Sequence, residues 1–381
     1  MSVERVLIEN YKSHRKTAIR LGGLTVLVGP NGCGKTSVLE AIDFVLGLPD
    51  RYAHEVFNPK GIPAVVAAGY RDAAPQVSFG LQSDTPLPWS LTYSSENPDG
   101  VFHSKVTWRF GGREGSSNGS DKAQYVRDVL GTSSKSWRAA VPGHIFLRLD
   151  ATKLAEPSTL EVAESLPVLH ADGSGLAAVL GWLKLVDTAR YEAIAADICR
   201  IVPIVEGIRL LPTKFEQTRV YWSGPDDDPT PDERKVTLNG LEVVFDLRGS
   251  KGVSARSVSE GTLITLGILT AVRRQVGDEV LLLDGIDHGL HPRAQRMLVK
   301  TLYEIARTRP GAQIVATSHS PYLIDELRPE DVCVMATRED GTSASRPLSD
   351  HPDAKRALEV LSTGEFLSSK EEGWVVEASG D

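Results

Sequence analysis

Gly29-Pro30-Asn31-Gly32-Cys33-Gly34-Lys35-Thr36 has the form GxxxxGK[ST], and its flanks give that string its meaning. Upstream, Leu24 to Val28 (LTVLV) reads as a short buried strand. Downstream, Lys35 to Leu46 carries apolar residues at helical spacing. A strand, a glycine-rich turn and a helix in that order aim a nest of backbone N–H donors at one point, where an anion is favoured. The eight residues and the following Ser37 therefore predict a phosphate cradle. Lys35 neutralises β- and γ-phosphate oxygens, and the Thr36 hydroxyl ligates Mg²⁺. Any reactivity of the Cys33 thiol would come from this loop alone.

Three further segments carry chemistry. Val280-Leu-Leu-Leu-Asp284 is an apolar strand that delivers a carboxylate at its C-terminal end, which is what the Mg²⁺ of such a site needs. Gln313-Ile-Val-Ala-Thr-Ser-His319 brings a histidine to the same kind of strand end. Ser257-Val-Ser259-Glu260-Gly261-Thr262 opens a helix that runs to about Gln275. Ser259 suits the N-cap, Glu260 the positive first turn, and Arg273 and Arg274 the negative end. Gly261 costs about 1 kcal/mol in a helix, and we expect close approach of another molecule's phosphate to account for it.

Between these segments the pattern changes. Arg51 to Asn118 is punctuated by Gly, Pro and Ser around alternating stretches such as Gln76 to Leu81, which predicts an antiparallel sheet; Gly111 to Ser120 reads as a mobile loop. Gly175 to Val202 has helical spacing with a break near Thr188, and Pro225 to Pro231 (PDDDPTP) reads as an exposed turn. Short strands are predicted at Val236 to Leu238 and Leu241 to Leu247. After them come a helix from Arg293 to Arg307, a short helix from Tyr322 to Leu327 and a strand from Val332 to Met335. Strands that alternate with helices in this way predict a mainly parallel sheet.

The composition narrows the class. Lys and Arg number 42 against 50 Asp and Glu, for a net charge of −8, which disfavours indiscriminate coating of nucleic acid or acidic membrane. No apolar run reaches the roughly 18 residues of a membrane span, and the charged opening argues against a signal peptide, so a cytoplasmic protein without a membrane partner is expected. Cys33, Cys199 and Cys333 form no CxxC pair, which argues against a zinc site or a disulfide framework.

The order GPNGCGKTS, SVSEGT, VLLLDGIDHGLHP, ATSHSPYL resembles the ABC-type ATPase heads of the SMC, RecF and OLD class. The opening Ile8-Glu-Asn-Tyr11-Lys12-Ser13-His14 is similar to the first strand of those heads. The resemblance implies an α/β P-loop NTPase with a mainly parallel core sheet, an antiparallel β lobe and an inserted helical and β lobe. On this basis we expect the core at 1–50 and 240–345, the lobes at 51–239 and an appendage at 346–381.

The same resemblance implies ATP and Mg²⁺ as cofactors. It places Lys12 with the loop residues Gly29 to Ser37 on the nucleotide and Thr36 and Asp284 on the metal. The SEGT segment is a variant of the LSGGQ signature, so that Ser259 and Gly261 contact ATP held by a second subunit, and His319 is the switch histidine. A homodimer through ATP-sandwiched heads follows. One position departs from the pattern: the acid that usually follows the strand-end aspartate is replaced by Gly285, and Asp287 is the candidate surrogate. Slow hydrolysis is expected.

The 224 positions between Lys35 and Ser259 are too many for a common transporter subunit and too few for long SMC arms. The short stretch after Met335 does not accommodate the TOPRIM nuclease of OLD proteins, so an effector or nuclease acting in trans is expected. Basic residues at Arg5 to Arg20 and Lys122 to Lys153 suggest DNA as a further partner. The expected role is DNA repair or antiphage defence; the alternative is a non-hydrolysing scaffold or sensor that uses ATP to hold a partner protein.

Overall fold

The computed structural model describes residues 2–47, 77–83, 89–96, 103–110, 113–118, 142–159, 166–223, 230–274, 278–309, 311–369 and 373–377. The stretch 51–76, the basic residues between 122 and 141 and the aspartates at 226–228 lie outside them. The chain divides into two compact units. One comprises Met1–Phe146, Gln275–Asp287 and Leu298–Asp381, the other Leu147–Arg274 and His288–Met297.

The first unit opens with strands β1 (Arg5–Tyr11), β2 (His14–Arg20) and β3 (Leu24–Val28), followed by helix α1 (Lys35–Gly47). Next come β4 (Val77–Ser83), β5 (Trp89–Glu96), β6 (His103–Phe110), β7 (Arg113–Asn118) and β8 (Gly143–Leu147). An antiparallel sheet runs in the order β2-β1-β4-β5-β6-β7, as the Gly, Pro and Ser punctuation predicted. Its last strand corrects one expectation: Arg113 to Asn118 is not a loop but pairs with β6 from Phe110↔Arg113 to Lys105↔Asn118. Glycine and serine kept it from reading as a strand, and the neighbour's ladder overrides that weak propensity.

Alternation sorts β1 and β2 into two faces. Val6, Ile8 and Ile19 are buried, while Arg5 pairs with Arg20 and Glu9 with Lys16 on the opposite face. The buried side packs on α1, where Phe79 meets Tyr11 and Phe44 edge-on, with ring centroids 4.9 and 5.4 Å apart. Val38, Leu39 and Ile42 of α1 are fully buried there, each worth roughly 1.5–3 kcal/mol of apolar transfer.

In the second unit Gly175 to Val202 is two helices, α2 (Leu176–Val186) and α3 (Thr188–Ile201). The break falls at Asp187, whose N–H donates to Leu183 O while its carboxylate accepts from Arg190 N at 3.2 Å. Strands β9 (Val205–Ser223) and β10 (Thr230–Leu247) pair antiparallel from Val205↔Leu247 to Ser223↔Thr230, with β11 (Ser250–Ser254) along β10. The two strands predicted within 236–247 are thus one, and its partner strand was not anticipated. Helix α4 (Glu260–Arg274) closes the unit. Arg273 donates to the buried Asp197 of α3 at 2.6 and 2.9 Å, a tertiary bond beyond the expected helix-end charge.

The chain then supplies β12 (Glu279–Leu283), α5 (Pro292–Thr308), β13 (Gln313–Ser318), β14 (Val332–Thr337) and β15 (Ser343–Pro347). The second six-stranded sheet runs β15-β14-β3-β13-β12-β8, with β14, β3, β13 and β12 mutually parallel and β15 antiparallel. The strand after the glycine-rich loop's own β3 therefore comes from the far end of the chain. The predicted helix Tyr322 to Leu327 is a single turn, Pro321–Ile324.

Candidate functional site

Between β3 and α1 the loop takes left-handed backbone at Gly29, Gly32 and Gly34 (φ +146°, +83° and +97°). Two of these glycines are also fixed by space: a Cβ on Gly29 would lie 2.1 Å from Met335 O, and one on Gly34 2.6 Å from His14 Nε2. Gly32 meets nothing within 4 Å, so its side of the loop is open to a ligand. Lys35 folds back over the loop, and its Nζ donates to Gly29 O at 2.9 Å and Pro30 O at 2.8 Å. Burial lowers its pKa, while Asp284 and Asp287 act in the opposite direction. Cys33 is fully buried, and burial raises its pKa despite Lys35 nearby. The thiol is therefore protonated and enclosed, which corrects the expectation of a loop-derived reactivity.

The Thr36 hydroxyl stands 3.1 Å from both carboxylate oxygens of Asp284, at the end of β12. Thr317 of β13 donates to Asp284 Oδ1 at 2.7 Å and accepts from Gly285 N at 2.8 Å. Thr317 was not singled out from sequence, although its place before Ser318 and His319 in an apolar strand was the available signal. Among the described residues no group of three or more His, Cys, Asp and Glu converges on a metal position. One hydroxyl and one carboxylate, with phosphate and water for the rest, is a donor set that suits Mg²⁺.

After Asp284 the chain turns at once. Gly285 has φ +75°, a conformation that disfavours a side chain, although a Cβ there would meet no atom within 4 Å. Ile286 N donates to Thr317 O at 3.1 Å, and Asp287 Oδ2 then lies 3.4 Å from His319 N. Asp287 is half-buried and His319 exposed. The turn thus brings Asp287 and His319 together at the ends of β12 and β13.

Ser259 and Gly261 belong to the second unit. Ser259 is exposed, and its Oγ lies 2.8 Å from Thr262 Oγ1 at the start of α4. The structure corrects the explanation for Gly261. A Cβ on it would lie 2.1 Å from Gly289 O and 2.8 Å from Gly289 C, so the chain's own backbone is enough to require glycine, with or without a phosphate nearby. Gly289 itself has φ +66°.

Lys12 (φ +51°) pairs with Glu40 of α1 and lies 5.3 Å from the centre of the Tyr11 ring, while Tyr11 OH donates to Glu40 at 3.0 Å. The loop has two further supports that sequence did not suggest. Ser343 Oγ donates to Cys33 O at 2.8 Å and shares a hydrogen bond with Ser13 Oγ at 2.7 Å, in which Ser343 Oγ is the acceptor. His14 is fully buried between Thr17 Oγ1 at 2.9 Å and Gly34 O at 3.0 Å.

Burial, with Lys12 adding like charge, lowers the His14 pKa to about 4. The unfolded chain takes up this proton near pH 6.5, so between those values the unfolded state binds more protons. Stability is expected to be complete above pH 6.5 and to fall toward pH 4, by about 3 kcal/mol from this residue. Urea melts at pH 7 and 4.5 check it. His14→Gln is expected to flatten that dependence; an unaltered dependence in the variant would remove His14 as its source.

Comparison with known proteins bears on what this site belongs to. The family described as "AAA domain, putative AbiEii toxin, Type IV TA system" matches residues 24–325. The chain belongs to this AAA-domain family. An OLD nuclease of Thermus scotoductus is 26% identical over 351 residues, covering 86% of this chain and 60% of that protein. The Rad50 ATPase of Methanopyrus kandleri is 60% identical over 45 residues, 12% of this chain and 5% of that protein. RecF of Chlorobium luteolum is 44% identical over 57 residues, 13% of this chain and 15% of that protein. The chain thus spans less than two thirds of the length of each of these relatives.

Among solved structures, an SMC head bound to the C-winged helix domain of ScpA has a TM-score of 0.58 at 17% identity, covering 94% of this chain and 100% of that one. An SMC head with an extended coiled coil, bound to the C-terminal domain of ScpA derived from Pyrococcus furiosus, has a TM-score of 0.54 at 15% identity, covering 94% and 98%. The AAA-domain protein has the P-loop NTPase fold of an SMC head and is similar to the ATPase heads of the SMC, Rad50, RecF and OLD type. Among the described residues no helix is long and apolar enough to cross a membrane.

Proposed function

We propose that the protein is an ATP-gated ATPase that closes on a second copy of itself around two ATP molecules. The observation that carries this reading is the meeting of Thr36 with Asp284, from segments 248 residues apart, beside the loop that holds Lys35. In this reading the backbone of Gly29 to Gly34, with Lys35 and Ser37, cradles the phosphates, and Lys12 lies on the nucleotide's side of α1. Thr36 and Asp284 would hold Mg²⁺, which would supply positive charge to offset the charge of the phosphates. Asp287 orients and deprotonates the attacking water, with His319 beside it. Ser259 is exposed at a helix start and engages the partner copy's γ-phosphate, with Gly261 at the same helix start. Hydrolysis is slow because Gly285 carries no carboxylate.

The biological setting proposed is DNA repair or antiphage defence in the cytoplasm, with an effector or nuclease supplied by another polypeptide. Arg5, Lys16 and Arg20 share an exposed sheet face, which favours contact with DNA phosphates. Light scattering with and without ATP and Mg²⁺ tests the composite site. Wild type is expected to double its mass with nucleotide, and Ser259→Arg to bind ATP without doubling. A doubling that survives Ser259→Arg would sink the sandwich.

A second reading, an ATP-dependent scaffold or sensor for a partner protein, is favoured by Gly285. Phosphate release over many turnovers decides against it; retention of one unhydrolysed ATP per chain decides for it.

A further inference from the structure

A cavity of about 380 Å³ lies in the first unit, and none of its lining residues belongs to the phosphate loop. Its volume is that of a small-ligand site. Arg5, Arg20 and Arg346 line it together with the hydroxyl residues Thr25, Ser345 and Ser349. Arg5 and Arg20 are directly opposed across β1 and β2, and like charges in that position destabilise a sheet. Both are exposed, and the Arg5 guanidinium has no hydrogen-bond or ion-pair partner among the described residues. Arg346 is held with its guanidinium carbon 5.7 Å from the centre of the Trp374 ring and bonds Trp374 O only at 3.5 Å, which orients it while leaving donors over.

Two acids also line the cavity and do not cancel this charge. Asp350 reaches Arg20 only at 3.7 Å, with the arginine side chain 72% exposed, and Glu330 lies 3.5 Å from Arg328 outside the cavity. Thr25 Oγ1 already accepts from Gly22 N at 2.9 Å, so its proton is available to an acceptor. Three guanidinium groups and several hydroxyl donors in a small cavity suit a tetrahedral oxyanion with several acceptor oxygens.

We propose that this cavity binds a small phosphorylated anion of the pyrophosphate class, at a site separate from the phosphate loop. Its wall is also a support of that loop. Strand β15 places Ser345 and Arg346 on the cavity and Ser343 on Cys33 O, so an occupant bears on the strand that holds the loop in place.

The test uses the full chain carrying Lys35→Ala, which disables the phosphate loop, with inorganic pyrophosphate as the probe in titration calorimetry. Pyrophosphate is expected to bind this chain, and adding Arg5→Gln with Arg346→Gln to weaken it tenfold or more. With Lys35 intact, the two arginine substitutions are expected to leave ATP affinity within twofold. Arg5→Gln removes a like-charge pair and is expected to melt no lower than wild type, so lost binding is not lost folding; Arg5→Lys is expected to retain part of the affinity. Binding that disappears with Lys35→Ala alone, or that ignores the arginine substitutions, would overturn the proposal. So would a short DNA duplex that binds with this arginine dependence while pyrophosphate does not bind, since the site would then be a nucleic-acid contact alone.

Discussion

Substituting Asp287 by alanine is expected to cut steady-state ATP turnover by about 10²- to 10⁴-fold, the range that a positioned general base contributes, while ATP binding changes little. The reason is geometric. The left-handed turn at Gly285 carries the chain past the strand end and sets the Asp287 carboxylate 3.4 Å from His319 N. The converse substitution, Gly285→Glu, is expected to raise turnover about tenfold by adding a carboxylate next to Asp284. It also has a cost that sequence did not show. At φ +75° a non-glycine residue is strained by about 1–2 kcal/mol, although the space around its Cβ is open, so the variant should melt lower than wild type as it turns over faster. Phosphate release and thermal melts on the same preparations read both effects. Fast wild-type turnover that is indifferent to both substitutions would move the base elsewhere, and the scaffold reading would fall with it.

Lys35→Ala is expected to weaken ATP binding by 100-fold or more with the fold retained. The lysine ammonium is held over the loop by Gly29 O and Pro30 O, at the helix start where phosphate is expected. Hydrogen bonds to a charged group contribute about 1.5–3 kcal/mol each, and two lost phosphate contacts account for at least the stated factor. Equilibrium binding of a fluorescent ATP analogue measures it, with circular dichroism as the control for folding. Affinity within threefold of wild type would show that Lys35 is a structural plug for its own loop and not a phosphate ligand.

The parts of this molecule legible in the sequence are those where one local pattern decides. Leu281 to Leu283 is buried on both faces and reads as such; Asp187 ends one helix and caps the next, and the break near Thr188 reflects it. The segment His14 to Arg20 (HRKTAIR) was missed as a strand because its register with β1, not its composition, makes it one. Strand β9 was missed for a related reason: much of its outer half is exposed, so no hydrophobic alternation marks it. At the site, the motifs located Lys35, Thr36 and Asp284, but the contacts that hold them, Thr317, Ser343 and His14, lie on other elements. Gly261 shows the limit most plainly. Its cost in a helix was visible, but the atom that requires it, Gly289 O, is a tertiary neighbour that no spacing rule supplies.

The position of β3 between β13 and β14 has a consequence for how the protein is made. Val28 pairs with Ser318 and Val334, so both flanks of the strand that leads into the phosphate loop wait for residues roughly 290 positions later. At about 5–20 residues per second of synthesis, that is about 15–60 s during which an apolar strand with two unpaired edges is displayed on the ribosome. Such edges invite wrong pairing with other chains. During translation the first 50 residues are therefore expected to gain from a chaperone that shields them, and expression without one is expected to deposit the protein as aggregates whose protected segment begins at Leu24.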